Sequence, residues 1–459
     1  MKRFSYALLI TALMSACNTV ILDPPAVDLL IDDIVFTTAN DLPSVRIGLY
    51  SAARNIGSPT VQAGDFTADN IIHLGTFTDY RELGTKQITP SNGVVGAMWS
   101  SIYRAVYMAN FVLERLPKVS GIKADDAKVL TAEAKFLRGY ANFIGAYTFG
   151  GIPKVSSTIL ATNRTIPRAT KEEILTWVLE DYQAALTDLP DGDPQDRNIY
   201  AGYATKNAAR AALARYYLYQ KNWAQAEAYA TLLINSANYS LVSYNDVVTK
   251  DFIQESIFEF GYTLNDYSGD INNYFVGRRE VVPSNQVVVS LLSRESGNRS
   301  QTLEFDFAKQ KGNDNGWTLR KYGTADESNR NFVIFRLGEM YLIRAEARAQ
   351  QGKITGTTGA IVDVNKLRTR AGDGLADSAK PPLITSATQN EMISIIERER
   401  VYELSFEGHR WYDLVRTGRA QAVMSAFSTN WNSKYELWPI PQTEIQRNPS
   451  LVGQQNPGY

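Results

Sequence analysis

Apolar residues recur along most of this chain at intervals of three and four, the spacing of an α-helix with one buried stripe. Between Glu391 and Gly418, advancing about 100° per residue brings Ile393, Ile396, Leu404, Trp411 and Val415 within an arc of roughly 100°. That spacing predicts one helix of about six turns. Glu397, Arg400 and Glu407 fall on the same stripe, and Glu403 and Arg410 flank it. Glu397–Arg400, Arg400–Glu403 and Glu407–Arg410 are spaced i,i+3 and can meet on the helix surface. Charges so close to a buried face read as paired, hydrogen-bonded struts. Gly418 is placed to end the helix as a C′ glycine.

The same period predicts helices over 41–54, 99–116 and 125–147, and Gly150-Gly151 reads as a helix stop. Thr170 with Glu173 forms a capping box that opens a helix running to about Leu189. Alanine-rich 205–220 and Trp-containing 223–236 form a hairpin whose small residues let the axes approach closely, a tetratricopeptide-like pattern. The pattern returns over 336–352 and down to Gly372. Hairpins are expected at 99–147, 171–218, 205–236, 336–371 and 391–418, some sharing a helix. A lone hairpin cannot bury its apolar face, so these must stack. The expected fold is mostly α: stacked helical hairpins with long irregular loops and a few short strands.

Two stretches break the period. Residues 56–95 are rich in Gly, Thr, Asp and Asn and read as loop with short strands. Residues 260–331 read as equally irregular and carry Tyr262, Tyr267, Asn273, Tyr274, Trp317 and Tyr322. Loops this long in a compact domain usually carry function.

Composition narrows the function classes. The 459 residues carry a net charge of −1, which offers no electrostatic case for nucleic acid. The single cysteine, Cys17, excludes an internal disulfide and a multi-cysteine zinc site. With only two histidines, His73 and His409, a multi-histidine metal centre is excluded. His409 falls away from the apolar stripe and is expected to be exposed; His73 reads as a solvated loop residue. Residues 1–16 read as a signal peptide: Lys2 and Arg3, an apolar run too short to span a membrane, then Ser15 and Ala16. Met14-Ser15-Ala16-Cys17 resembles a bacterial lipobox, which would leave Cys17 as the lipidated N-terminus. Residues 17–30, with Leu22-Asp23-Pro24-Pro25, read as an extended tether.

Several segments carry a family resemblance. The run ERxxELxFEGxRWxDLxRxG over 399–418 resembles the C-terminal signature of the SusD/RagB family. In chain order, four more segments agree: Trp99, Tyr103 and Asn110; Glu133 to Arg138 with Gly150 and Pro153; Arg336 to Ala347 with Asn365 to Gly372; and the tail Leu437-Trp438-Pro439-Ile440-Pro441 with Asn448-Pro449. The family comprises outer-membrane nutrient-binding lipoproteins that work with TonB-dependent transporters. The resemblance implies one helical domain over 31–459, with an N-terminal part at about 31–259, a loop-rich insertion at 260–331 and a C-terminal part at 332–459. It implies a lipid-anchored protein at the outer-membrane surface that binds a glycan or peptide oligomer and delivers it to a transporter. No cofactor is implied.

Catalysis finds little support in the residues. Glu403 and Glu407 are spaced like a carboxylate pair, but Arg400 and Arg410 beside them favour the ionised form, unsuited to a general acid. HExxH, G-x-S-x-G, GxGxxG and CxxC are absent. Sugars and peptides are recognised by flat aromatic faces with polar groups beside them. On residue type and loop position, the candidate ligand contacts are Tyr80, Arg81, Tyr267, Tyr274 and Trp317. Two other readings stay open: a glycan-degrading lipoprotein enzyme, and a helical-repeat scaffold without a small ligand.

Overall fold

The structure, a computed structural model, describes residues 36–262, 271–323 and 330–459. Its frame is a run of helices: α1 (Leu42–Arg54), α2 (Gly93–Arg115), α3 (Ala124–Phe149), α4 (Lys171–Asp188), α5 (Lys206–Tyr219), α6 (Trp223–Ile234), α7 (Leu337–Gln350), α8 (Ala360–Ala371), α9 (Gln389–Leu404) and α10 (Arg410–Arg416). From α1 to α7 each packs on the next, and α7 also meets α8 and α9. This is the stacking that single hairpins require. Helix starts follow local chemistry. Thr170 and Thr388 form capping boxes with Glu173 and Glu391, and the Asn92 side chain accepts from Val94 N at 2.9 Å to open α2. No helix of the described residues is long and apolar enough to cross a membrane.

Among the described residues, six short strands pair as three antiparallel ladders: β1 (Ile71–His73) with β3 (Val281–Pro283), β2 (Ser256–Phe260) with β6 (Phe332–Arg336), and β4 (Leu303–Phe305) with β5 (Trp317–Leu319). One apolar core reaches from Phe36 to Leu451. The proline-rich tail lies across the helices: Trp438 and Ile440 are fully buried, and Trp438 donates its backbone N–H to Thr148 O at 2.8 Å and its indole N–H to Thr67 Oγ1 at 3.1 Å.

The stretch expected to be one helix over 391–418 is two. α9 stops at Leu404, Phe406 adopts φ 64° and Gly408 φ 81°, and α10 begins at Arg410. The cause is a crossing backbone. A Cβ on Gly64 would lie 2.1 Å from Gly408 O, so the two chains touch with no room for a side chain. Asp65 then receives the freed amides, Gly408 N–H at 2.7 Å and Phe406 N–H at 3.3 Å. The expected stop does occur: Gly418, at φ 71°, donates to Val415 O, and Arg419 N–H to Leu414 O, a Schellman arrangement.

The two irregular stretches are also more ordered than their composition predicts. Residues 56–95 contain a helix at Gly57–Val61, a π-helical turn at Gln62–Phe66, β1 and a helix at Thr78–Thr85. Every residue from Pro59 to Asn70 is buried, so tertiary packing overrides weak local propensity there. Within 260–331, the helix Asn285–Leu292 is capped by Ser284, whose hydroxyl accepts from Val287 N.

Arg400, Glu403, Glu407 and Arg410 are struts with mostly covered side chains, but their partners lie on other elements rather than at i+3. Arg336, at the end of β6, donates to Glu255 at 2.7 Å, to Glu403 at 2.6 Å and to Glu407 at 2.9 Å. Arg370 also reaches Glu403, and Lys321 reaches Glu407. Arg400 donates to Asp413 at 2.7 Å and Arg410 to Asp69 at 2.7 Å. Burial would raise both glutamate pKa values. Arg370, Arg336 and Arg299 instead hold the Glu403 carboxyl well below the usual range, and Arg336 with Lys321 lowers Glu407 to about 2. His409, expected to be exposed, is buried against this web. Burial, reinforced by Arg215 and Arg400 against the pull of Glu339, lowers its pKa to about 4 and keeps it neutral.

Candidate functional site

An open groove of about 490 Å³ runs between the C-terminal end of α1, the Gly57–Phe66 segment, the Thr78–Thr85 helix and the start of α2. Its aromatic wall is a cluster that spans the two irregular stretches. Tyr80 and Tyr274 have ring centroids 4.2 Å apart at 49°, and Phe77 lies 5.2 Å from Tyr80. Phe66 closes the cluster from below, at 5.9 Å from Tyr80 and 6.5 Å from Tyr274. Across the groove, the Arg54 guanidinium sits 5.0 Å over the Tyr262 ring, and Tyr262 donates its hydroxyl to Arg54 O at 3.0 Å.

The local sequence explains why these rings meet. Tyr274 lies in a π-helical turn (Asn273–Gly277), which packs on β3, and β3 pairs with β1 just before the Thr78–Thr85 helix. The strand pair thus carries Tyr274 onto Tyr80. The polar lining includes Asn55, Ser58, Gln62 and Asp79. Asp79 sits over the first turn of α2. A Cβ on Gly93 would meet its Oδ2 at 2.5 Å, so glycine is what lets the carboxylate approach the helix N-terminus.

Exposure differs sharply along the cluster. Tyr80 is 3% and Tyr274 7% exposed, whereas Phe77 is 43% exposed. The tyrosines therefore offer edges and Phe77 offers a face. An apolar face beside carboxylate, amide and guanidinium groups can stack on a flat, hydroxyl-rich ligand and hydrogen-bond its rim.

Of the five candidate contacts, Tyr80 and Tyr274 come together here. Arg81 is on the same helix but outside the groove lining; it is exposed, and its charge reaches His73. Trp317, on β5, pairs instead with Phe305, at 4.9 Å between centroids. Tyr267 lies outside the described residues, as does Cys17. His73 is no solvated loop residue: it is on β1 with its ring mostly covered, 3.8 Å from Glu280, and burial lowers its pKa despite that carboxylate. Sequence reasoning missed Phe77, Arg54 and Gln62. Phe77 adjoins Asp79 and Tyr80 in the same irregular stretch, a signal that could have been used. Arg54 and Gln62 gave none, since only the fold brings them across.

The comparisons with known proteins agree with this architecture. A model described as "SusD family" matches residues 256–459, and one described as "Starch-binding associating with outer membrane" matches 34–218. The chain belongs to the SusD/RagB family. SusD-like protein P38 of Formosa agariphila is 26% identical over 456 residues, covering 86% of either chain. Starch-binding protein SusD of Bacteroides thetaiotaomicron is 34% identical over 136 residues, 28% of this chain and 21% of that one. Among solved structures, a laminarin binding SusD-like protein superposes with a TM-score of 0.75 at 23% identity, covering 92% of this chain and all of the other. A SusD homolog from B. thetaiotaomicron gives 0.78 at 20% identity, covering 93% and 98%. At these identities the structural likeness speaks for the fold.

Proposed function

We propose that this chain is a glycan-binding lipoprotein of the outer-membrane surface that captures an oligosaccharide in the Phe77–Tyr80–Tyr274 groove and delivers it to a TonB-dependent transporter. The observation that carries the reading is the groove: an exposed ring on an aromatic base, with Asp79, Gln62 and Arg54 around it. The names of the matched family and of the laminarin-binding neighbour favour glycan over peptide. Of the five contacts expected from residue type, Tyr80 and Tyr274 act through the groove, Arg81 and Trp317 lie outside its lining, and Tyr267 lies outside the described residues. Residues 1–16 are removed, Cys17 carries the lipid and 17–30 tether the domain. The chain binds rather than cleaves, because Glu403 and Glu407 are locked to arginines and a lysine, with no proton to give.

Titration of the mature, lipid-free chain with laminarin and starch oligosaccharides tests this. Binding is expected for at least one, lost on Phe77→Ala, with no product released on long incubation. Binding unchanged in Phe77→Ala would remove the groove from the reading, and released sugar would turn it to an enzyme. Loss of fatty-acid labelling in Cys17→Ala tests the anchor, and co-purification of a barrel transporter from solubilised membranes tests the partner.

A further inference from the structure

A second cavity lies beside the α9–α10 turn. It is about 260 Å³ and is enclosed by α9, α10, the end of α7 and the α5–α6 turn. Its wall is mainly apolar, through Leu218, Trp223, Ile393, Ile396, Leu404 and Leu414. A cavity of this size and lining suits a small organic body.

The charges in that wall are unbalanced. Five cations line it, Lys221, Arg400, Arg410, Arg416 and Arg419, against three carboxylates, Glu346, Glu397 and Asp413. Each carboxylate is already engaged: Glu346 by Arg416 at 2.5 Å, Asp413 by Arg400 and Arg416, and Glu397 by Arg419 at 3.3 Å. Arg410 is answered from outside the wall by Asp69 at 2.7 Å, which leaves one uncompensated cation, Lys221, and one guanidinium with unused hydrogen-bond capacity, Arg400. Arg400 is 4% exposed and spends only its Nε on Asp413, while Nη1 and Nη2 are buried with no hydrogen-bond partner among the described residues. A guanidinium with two unsatisfied amino groups is a costly thing to bury. Lys221, exposed at the α5–α6 turn, makes no ion pair among the described residues.

We propose that this cavity is a binding site for a small organic anion: an apolar body seated against Ile393, Ile396 and Trp223, with a carboxylate directed to the Arg400 amino groups. Two parallel N–H···O bonds from the guanidinium would supply the partners those groups lack. Lys221 adds attraction at the entrance. The site is separate from the glycan groove, whose lining shares no residue with it.

Benzoate is a suitable probe, with benzamide as its uncharged counterpart, followed by calorimetry and ligand-observed NMR on the full mature chain. Benzoate is expected to bind and benzamide to bind at least tenfold more weakly. Ile393→Trp, which fills the cavity from a half-buried position on α9, should abolish benzoate binding. Lys221→Glu, at an exposed position, should weaken it severalfold and flatten its salt dependence. Arg400→Lys should weaken it at least tenfold; where that variant fails to fold, the Ile393 and Lys221 variants decide. Phe77→Ala should leave it unchanged. Absence of benzoate binding at millimolar concentration, equal affinity for benzamide, or full binding in Ile393→Trp would each overturn the proposal.

Discussion

The ionic web behind α9 and the aromatic groove beside the Thr78–Thr85 helix use opposite logics. In the web, groups that belong in water are sealed away: Glu403, Arg336 and Glu255 are each at most 1% exposed. In the groove, groups that belong in the core are partly left out, with Phe77 at 43%. Buried charge tolerates no missing partner, because the desolvation cost of the survivor stays behind. A half-exposed ring loses little when removed, because water already touches it. The web is therefore where a substitution should cost most, and the groove is where a ring can be lost cheaply.

The largest effect is expected from breaking the web. Arg336→Met would take from Glu255, Glu403 and Glu407 the one cation they share, leaving three buried carboxylates to Arg370 and Lys321, and should cost about 3–5 kcal/mol by urea unfolding, or prevent folding. A loss below about 1 kcal/mol would mean the carboxylates find other partners.

Acid should act on the same region. The Glu407 pKa is lowered to about 2 in the folded chain, so its contribution is present above the unfolded value near 4.3 and lost as pH falls towards 2. His409, lowered to about 4, binds its proton more readily when unfolded; its burial therefore costs stability as pH drops from 6.5 towards 4. Asp65, raised by burial to about 7, acts in the opposite sense over the same range, so the His409 contribution is read as a difference: unfolding free energy should fall less, or rise more, between pH 6.5 and 4 in His409→Gln than in the native chain. An unchanged slope in that variant would place the titration elsewhere.

Within the groove, the two kinds of ring should separate. Tyr274→Ala, at a buried position, should cost about 3 kcal/mol of stability and impair glycan binding with it. Phe77→Ala should cost under about 1 kcal/mol while lowering glycan affinity about tenfold. Equal stability losses in the two variants would erase the contrast. The smallest effect is expected at Phe307, 79% exposed outside both regions: Phe307→Ser should stay within about 0.5 kcal/mol in a melt.

Much of the frame was legible. Amphipathic spacing located α1 to α9, mostly to within a few residues, and capping chemistry marked Thr170 and Gly418, because these signals act within a turn or two of the chain. The break after Leu404 was not legible. The apolar stripe continues through it, and only the approach of Gly64 to Gly408 forces it. Burial of His409 follows from that break. The candidate site was half legible: Tyr80 and Tyr274 stood out by type, but their contact depends on the β1–β3 pairing between segments some two hundred residues apart.

By itself the sequence determined what can be settled locally: which segments are helical, where they begin and stop, that its charged stripe must be neutralised, and which family signature it bears. The tertiary structure alone decided who neutralises whom, that the struts reach to Arg336, Arg370, Lys321 and Asp69 rather than along their own helix, and which aromatic rings keep a face in water. The physical reason is range. Helix periodicity and capping are enforced by neighbours a few residues away, whereas burial and ion pairing are set by whichever distant backbone happens to cross.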